Sequence, residues 1–319
     1  MKKSIIWVVM SMLILTSCLP SIPVAAVEAE PVSPSNPSAA GNTRNSSPIQ
    51  NPYSLESLAS RSYGEGELNV EYAWENQAEF TRYYITYDSD GLTIHGFVNV
   101  PTGRGPFPVV IALHGYIPAS EYQTRDYSTR YADAMARNGY IVLHPNLRNF
   151  PPSDSVPRVR DYHTGYVIDV LNLLAHVKEF AGQEGIFEDA DVSHLGVWGH
   201  SLGGGVALRL VSLVPEIKAA VLYAAVSQRY SNSSAGFSMF DLPSTSAAFS
   251  LHHGTDDDTI DVGWTEQLCS QLIELGKEVE CFYYEDQPHT FPAQGNSDAL
   301  LIQRTRDFLK IHLMDDEGR

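Results

Sequence analysis

Short runs of apolar residues alternate with amphipathic helical stretches along the chain beyond Tyr53, and this alternation restricts the fold more than any other feature. The runs are continuously apolar, as is typical of strands that are buried on both faces of a parallel sheet. Between them, apolar residues recur at helical spacings of three and four, as in Val206, Leu210 and Leu213. The pattern predicts an α/β fold in which helices cover both faces of a mostly parallel central sheet. The candidate core strands are 109–114, 140–144, 195–198, 219–225, 249–252 and 279–284.

The beginning of this region predicts two antiparallel strands. Segments 79–88 and 92–100 flank Ser89-Asp90-Gly91, a turn sequence that favours a β-hairpin. Segment 227–246 is instead polar, with Ser and Gly throughout, and we interpret it as a small loop or a partial lid near the carboxyl edge of the sheet. Because no internal repeat divides the region, residues 53–319 are predicted to form one domain.

The N-terminus has the composition of an export signal. Lys2 and Lys3 precede the apolar run 5–15, which is well short of the roughly 20 residues that a membrane-spanning helix needs. The run ends in Leu15-Thr16-Ser17-Cys18, which resembles the bacterial lipobox at the end of a signal segment 1–18. The resemblance implies that Cys18 is lipid-modified and becomes the new N-terminus when the residues before it are removed. We therefore expect an exported protein anchored to a bacterial membrane. Cleavage after Ala25-Ala26 is the alternative and would release a soluble protein.

Residues 19–52 are rich in Pro, Ser, Asn and Ala and contain almost no large apolar side chain. Such a segment cannot bury enough surface to fold, so it is predicted to be a disordered tether, although a leader without that role has the same composition. The whole chain has 21 Lys and Arg against 38 Asp and Glu, a formal charge of -17. This excess repels phosphate groups and excludes nucleic acid as an expected partner.

The chain has three cysteines, and lipid on Cys18 would leave Cys269 and Cys281 as a pair in an oxidising compartment. A disulfide between them would clamp a helix to the strand that follows it. Two buried free thiols remain an equal alternative, because the sequence does not show whether the distance between them suits a bridge.

A serine between a strand and a helix lies in the sequence of a nucleophile turn. Gly199-His200-Ser201-Leu202-Gly203 matches the pattern G-x-S-x-G and follows the apolar strand 195–198. A serine hydroxyl is an effective nucleophile when it projects from a tight turn toward a base, and the flanking glycines lack the Cβ atoms that would clash there. Ser201 is therefore the predicted nucleophile.

The general base is expected to be a histidine downstream of Ser201. His289 follows the last strand and precedes the last helix, which places it at the carboxyl edge where the serine also emerges. His312 lies on the final helix, and His252 and His253 end a strand, so these three are interpreted as structural or surface residues. His289 is the predicted base.

A carboxylate must accept the other ring proton of the histidine and stabilise the imidazolium that forms during the reaction. The loop after strand 249–252 has three carboxylates in Thr255-Asp256-Asp257-Asp258, and the residues alone do not rank them. The two that are not used are expected to cap the turn or the next helix. The chain order serine, acid, histidine is that of α/β-hydrolases.

Acyl transfer also needs donors for the oxyanion of the tetrahedral intermediate, and these are usually backbone amides. The amide of Leu202, directly after the nucleophile, is the first candidate. His114-Gly115-Tyr116 follows an apolar strand, so the amide of Tyr116 is the second, while His114 is interpreted as a structural hydrogen-bonding residue. This chemistry requires no metal or organic cofactor.

Taken together, four motifs resemble those of prolyl oligopeptidase-type and dienelactone hydrolase-like α/β-hydrolases over about residues 80–313. They are His114-Gly115, Gly199-His200-Ser201-Leu202-Gly203-Gly204, His253-Gly254-Thr255-Asp256-Asp257 and Pro288-His289. The resemblance implies an α/β-hydrolase fold and selects Asp257 as the acid, because in that family the acid falls three residues after the glycine of the His-Gly pair. It also implies a structural ion pair between Arg148 and Asp169.

Three departures from the family bear on the expected function. Residues 53–80 are too few for the β-propeller that peptide-cutting members carry, Ser201 stands where dienelactone hydrolase has a cysteine, and Asn149-Phe150-Pro151-Pro152 replaces a glycine-rich segment. We therefore expect a free-standing carboxylic ester hydrolase that acts on a small-molecule ester. A serine peptidase or amidase for short peptides is the first alternative, and an inactive surface binding protein is an alternative of another class.

Overall fold

One nine-stranded sheet organises the part of the chain that the structure describes. This structure is a computed structural model, and it describes residues 52–157, 163–227 and 240–314. The strands are β1 (Leu68–Asn76), β2 (Phe80–Ser89), β3 (Leu92–Pro101), β4 (Phe107–Leu113), β5 (Ile141–Pro145), β6 (Ala190–His200), β7 (Ile217–Tyr223), β8 (Ala248–Gly254) and β9 (Val279–Tyr284). They lie in the order β1-β2-β3-β5-β4-β6-β7-β8-β9. The predicted α/β architecture is confirmed.

The sheet changes from antiparallel to parallel along its width. β1, β2 and β3 pair antiparallel, β3 pairs antiparallel with β5, and the pairs from β5 through β4 to β9 are parallel. Asp90 and Gly91 have φ of 53° and 77° in the predicted hairpin turn, as a two-residue type I′ connection requires. The antiparallel part is larger than predicted, because β1 adds a strand at the edge. Five successive residues of β1, 69–73, are exposed, so this strand lacks the apolar run by which the others are recognised.

Helices cover both faces of the sheet and account for the continuous apolar strands. The helices are α1 (Leu55–Ser60), α2 (Thr129–Ala136), α3 (His163–Phe180), α4 (Leu202–Leu213), α5 (Val262–Glu274) and α6 (Asn296–Leu313). Alternate residues of β4 enter opposite cores: Ile111 lies in one with α3, α4 and α5, and Val110 and Ala112 lie in the other with α2 and α6. Both faces of each central strand are therefore buried.

Several predicted features lie outside the described residues. They include Cys18 with the predicted signal, the tether as far as residue 51, and 228–239 of the predicted loop or partial lid. Within the described ranges, no helix has the length and apolar character needed to cross a membrane.

Arg148 and Asp169 form the ion pair that the resemblance implies. Nη2 of Arg148 lies 2.7 Å from Oδ1 of Asp169, and the carboxylate also accepts hydrogen bonds from the Arg148 amide and from Ser89 Oγ. Burial raises the pKa of Asp169, while the hydrogen bonds from Arg148 oppose that shift. The pair fastens the loop after β5 to α3 and the end of β2.

Cys269 in α5 and Cys281 in β9 form a disulfide, with their Cα atoms 6.4 Å apart. Of the two alternatives that the sequence leaves open, the structure therefore contains the bridge. It joins the last strand of the sheet to the helix before it.

Replacing both cysteines, Cys269→Ser with Cys281→Ser, is expected to lower the free energy of unfolding by about 3 kcal/mol, because the bridge closes a short loop and restricts the unfolded chain. Urea unfolding without reductant measures this difference. Reductant should lower the stability of the wild type to that of the double variant and leave the double variant unchanged. Equal stability of the two oxidised proteins would contradict the expectation.

Candidate active site

Ser201 lies in the sharp turn between β6 and α4. Its φ of 53° and ψ of -114° are outside the ordinary regions for a residue with a side chain, a conformation that costs on the order of 1–3 kcal/mol. A Cβ at Gly199 would lie 2.5 Å from the carbonyl oxygen of Gly203, so the two glycines allow α4 to start close to β6. The backbone of Ser201 is held by hydrogen bonds to Tyr223 and Val226, at 2.9 and 3.0 Å. The turn is fixed, and Ser201 keeps 7% of its surface exposed.

His289 and Asp257 come together at the same edge of the sheet, on the loops after β9 and β8. Nδ1 of His289 lies 2.7 Å from Oδ2 of Asp257, and the side chains are 16% and 0% exposed. A carboxylate only accepts hydrogen bonds, so Nδ1 carries the proton and Nε2 of the neutral ring is the basic nitrogen. The pair therefore has the arrangement of a general base and the acid that orients it.

The carboxylate of Asp257 accepts hydrogen bonds at both oxygens. The amides of Thr259 and Ile260 donate to Oδ1, each at 2.9 Å, and Nε2 of His253 lies 2.9 Å from Oδ2. Burial opposes the ionised form, but the hydrogen bonds from His253 and His289 outweigh it and hold the pKa of Asp257 below its usual range. The group is ionised at neutral pH, as its partnership with His289 requires.

The structure separates Asp257 from the carboxylates beside it. Asp256 and Asp258 are exposed, and the helix-capping role expected for them falls to Asp261, whose side chain accepts a hydrogen bond from the Gly263 amide at 2.8 Å. Of the two roles expected for the unused carboxylates, the helix cap is therefore at another residue, because α5 begins only at Val262. Asp258 instead accepts a hydrogen bond from Thr259 Oγ1 at 3.2 Å within the turn.

The loop of His289 lies against the residue before the nucleophile. The rings of His200 and His289 have centroids 4.6 Å apart, and Nε2 of His200 lies 3.0 Å from the carbonyl oxygen of His289. Among the described residues, no hydrogen bond joins Ser201 Oγ to His289. Such bonds are often long or poorly aligned in unliganded enzymes and tighten when substrate binds.

Two loops bring the candidate oxyanion donors toward Ser201. Leu202 is the first residue of α4, where amides have no acceptor within the helix. A Cβ built on Gly115 would lie 3.2 Å from Cβ of Ser201, so the backbone after β4 runs directly beside the serine. Tyr116 follows, with its side chain 53% exposed. The backbone segments that carry the amides of Leu202 and Tyr116 therefore both adjoin the serine turn.

Other histidines have structural surroundings. His252 is enclosed between Ser250 Oγ and the Tyr284 hydroxyl, each at 2.9 Å. His312 packs on Phe308 in α6, with its side chain only 14% exposed. The ring nitrogens of His114 lie 2.7 and 2.8 Å from backbone carbonyl oxygens.

Sequence reasoning missed three residues that support the site: Tyr127, His200 and His253. Nε2 of His253 contacts the same carboxylate oxygen of Asp257 as Nδ1 of His289, although its position at the end of β8 predicted only a structural role. His200 and His253 lie within motifs that contain Ser201 and Asp257, but the contacts through which these three residues act depend on the folded loops and leave no local pattern.

Acid is expected to destabilise the fold through three buried histidines. Burial lowers the pKa of His144 to about 4, that of His252 to about 3, and that of His200 well below its ordinary value. The native rings stay neutral while the unfolded chain takes up protons below about pH 6.5, so each histidine removes up to about 1.4 kcal/mol of stability per pH unit below that value.

Urea unfolding midpoints at pH 7, 6 and 5 measure this effect, and we expect them to fall below pH 6.5. The variant His252→Asn should lower stability at pH 7 yet show a shallower dependence on pH. A midpoint that does not change between pH 7 and pH 5 would contradict the expectation.

The described residues contain no group of three or more His, Cys, Asp or Glu side chains arranged to hold a metal ion. The polar groups at the site are a hydroxyl on a strained turn, an imidazole hydrogen-bonded to a buried carboxylate, and the backbone amides beside them. This set suits acyl transfer, in which a hydroxyl attacks a carbonyl carbon.

Solved structures resemble the described fold. An acylaminoacyl peptidase from Pyrococcus horikoshii superimposes with a TM-score of 0.59 and 20% identity, over 76% of this chain and 43% of the peptidase. Acetyl xylan esterase 1 from Thermoanaerobacterium sp. JW/SL YS485 has a TM-score of 0.58 and 15% identity, over 82% of this chain and 91% of the esterase. At these identities the likeness shows the fold, which is that of α/β-hydrolases.

Comparison by sequence gives further matches, to a curated protein and to a family model. Esterase EstD of Thermotoga maritima is 28% identical over 138 residues, which are 41% of this chain and 29% of EstD. The chain thus matches less than a third of that relative. A model of the dienelactone hydrolase family matches residues 94–310, which include every residue of the candidate site.

Proposed function

The chain belongs to the dienelactone hydrolase family, and from this premise we propose that it is a serine hydrolase that cleaves carboxylic esters through an acyl-enzyme on Ser201. The observation that carries the proposal is that the hydrogen-bonded pair of His289 and Asp257 lies at the same edge of the sheet as the strained turn of Ser201, with the His289 loop in contact with His200. A strained nucleophile turn and a partly buried base oriented by a buried carboxylate have no evident use in a purely structural role.

In the proposed reaction, His289 Nε2 takes the proton of the Ser201 hydroxyl as Oγ attacks the ester carbonyl carbon. The amides of Leu202 and Tyr116 donate hydrogen bonds to the oxyanion that forms. His289 then protonates the leaving alcohol, and the C–O bond breaks to leave an acyl group on Oγ. Water, deprotonated by His289, releases the carboxylic acid and restores the hydroxyl. Asp257 stays ionised and stabilises the imidazolium in both halves of the reaction.

Ester cleavage is preferred to peptide cleavage on two grounds. One relative found by sequence is named as an esterase. Acetyl xylan esterase 1 is covered over 91% of its length, whereas less than half of the acylaminoacyl peptidase is matched. A serine peptidase or amidase would use the same catalytic residues and differ in the pocket.

Para-nitrophenyl esters and aminoacyl para-nitroanilides together test this preference. We expect para-nitrophenyl acetate and butyrate to be hydrolysed with kcat/KM well above that for short aminoacyl para-nitroanilides. Faster cleavage of the anilides would overturn the ester assignment and leave the serine mechanism intact. A folded protein that acts on neither and does not react with a fluorophosphonate would instead be a surface binding protein.

We also propose that the protein is exported and anchored through lipid on Cys18. Lys2 and Lys3, the apolar run 5–15 and the lipobox-like Leu15-Thr16-Ser17-Cys18 support this proposal. In a bacterial host, the wild type should be found in the membrane fraction, and Cys18→Ser should move the protein out of that fraction or leave the signal uncleaved. Equal membrane binding by the wild type and by a Cys18→Ser variant from which the signal has been removed would contradict lipid attachment at this residue.

A further inference from the structure

A buried hydroxyl connects the three loops of the candidate site. The Tyr127 hydroxyl accepts a hydrogen bond from the Gly115 amide at 2.8 Å and contacts Nδ1 of His200. His200 is 2% exposed, and its other ring nitrogen lies 3.0 Å from the carbonyl oxygen of His289. Gly115 precedes the proposed oxyanion donor Tyr116, His200 precedes the nucleophile, and His289 is the proposed base.

The chemistry of these groups gives every hydrogen bond a direction. A carbonyl oxygen only accepts, so Nε2 of His200 carries the proton. Burial lowers the pKa of His200 well below its ordinary value, so the ring is neutral and Nδ1 is an acceptor. Burial raises the pKa of Tyr127, whose hydroxyl therefore keeps its proton and donates it to Nδ1. The Gly115 amide therefore donates to the Tyr127 hydroxyl, the hydroxyl donates to Nδ1 of His200, and Nε2 of His200 donates to the carbonyl oxygen of His289. These three hydrogen bonds form a relay in which every donor has an acceptor.

We propose that Tyr127 and His200 are positioning residues for acyl transfer. They hold the amide of Tyr116, the turn of Ser201 and the loop of His289 in fixed positions relative to one another. The inference rests on the proposed function and adds two residues to it. Neither side chain exchanges a proton with substrate. Tyr127 fixes the Gly115 amide and with it the adjoining amide of Tyr116, while His200 fixes the backbone that carries the imidazole of His289.

Arg130 holds the backbone on both sides of this relay through separate hydrogen bonds. Nη1 of Arg130 donates to the carbonyl oxygen of Tyr127 at 2.8 Å, and Nη2 donates to that of Phe291 at 3.1 Å. The guanidinium is itself held by the buried carboxylate of Asp298. Because Arg130 holds the main chain of both loops independently, removal of the Tyr127 hydroxyl should disturb the fine position of the Gly115 amide while the fold persists.

The test compares Tyr127→Phe with Tyr122→Phe in the purified full chain. Tyr122 is a second buried tyrosine near the same loop, and its hydroxyl has no hydrogen-bond partner among the described residues. We expect Tyr127→Phe to lower kcat for para-nitrophenyl acetate by about 10- to 100-fold with little change in KM, since a displaced oxyanion donor acts on the transition state. Tyr122→Phe should retain the wild-type kcat.

A double-mutant cycle distinguishes positioning from a general loss of packing. His200→Gln should lower kcat in the same way, and the double variant should be no slower than the slower single variant, because either change breaks the same relay. Losses that multiply, or a wild-type kcat in Tyr127→Phe, would overturn the inference.

Nitrogen NMR of the histidine-labelled wild type gives a measurement that does not need the variants to be active. The ring whose signals disappear in the spectrum of His200→Gln is that of His200. In the wild type this ring should be a neutral tautomer with its proton on Nε2, and a protonated Nδ1 would also overturn the inference. A wild type that neither hydrolyses esters nor reacts with a fluorophosphonate would overturn the proposed function and this inference with it. An active wild type with an unaffected Tyr127→Phe variant would overturn the inference alone.

Discussion

Ser201→Ala is expected to lower kcat for ester hydrolysis by about 10⁶-fold, the largest effect of any single change in this protein. The substitution removes the attacking oxygen, while His289, Asp257 and the amide donors stay in place. Only the weak catalysis that binding and the oxyanion donors supply to an attacking water would remain. The measurement is kcat for para-nitrophenyl acetate at saturating substrate.

Ser212→Ala is the matched control for this change. Ser212 lies near the end of the same helix, α4, where its hydroxyl donates to the Leu208 carbonyl oxygen at 3.1 Å. We expect this variant to keep wild-type kcat. Because alanine leaves the positive φ at position 201 unrelieved, the thermal midpoint of Ser201→Ala should stay near that of the wild type. Retention of more than about one per cent of activity by Ser201→Ala would mean that another residue attacks the ester.

Asp257→Asn is expected to lower kcat by about 10⁴-fold with a smaller change in KM. The amide keeps the size of the carboxylate but loses its charge, so the imidazolium of His289 is no longer stabilised. An amide nitrogen turned toward Nδ1 would also favour the wrong tautomer and place the proton on Nε2, where the base must be free. Because His253 and two backbone amides share the same carboxylate, we also expect some loss of stability.

The exposed residue Asp258 supplies the control for Asp257→Asn. Asp258→Asn makes the same chemical change one residue later, on a side chain whose only described side-chain contact is with Thr259. Its kcat should stay within about twofold of the wild type, as for a surface substitution away from the reacting groups. If Asp258→Asn or Asp256→Asn caused the larger loss, the orienting acid would have been assigned to the wrong residue.

Much of the fold follows from the sequence because burial on both faces leaves a continuous apolar run in each central strand. Val109 through Leu113 shows this most clearly, since successive residues enter two different cores. β1 gave no such signal, because an edge strand exposed over most of its length is stabilised by main-chain pairing with β2, which leaves no side-chain pattern.

The residues of the candidate site also differ in how far the sequence alone identifies them. Ser201 lies in a turn whose glycines are needed locally, and His289 is selected by its place after the last strand, so both were within reach of sequence reasoning. Asp257 was not separated from the carboxylates beside it by any local rule, because the choice depends on which side chain turns inward to meet a loop more than thirty residues away. Only the family resemblance selected it.

Contacts between residues that are far apart in sequence could not be predicted from local patterns. The hydroxyl of Tyr127 and the ring of His200 meet because the chain before α2 reaches the end of β6, and the local pattern of neither residue shows that contact. The bridge between Cys269 and Cys281 was undecided for the same reason, since it depends on a Cα separation that spacing along the chain does not define.

The central claim is that Ser201 is the nucleophile, and mapping of a covalent adduct tests it most directly. The folded wild type would be treated with a fluorophosphonate, digested, and its labelled peptide identified by mass spectrometry, with Ser201→Ala treated in parallel. The account predicts one adduct, on Ser201, and none in the variant. An adduct on another residue, or no adduct on a folded protein that hydrolyses esters, would contradict it.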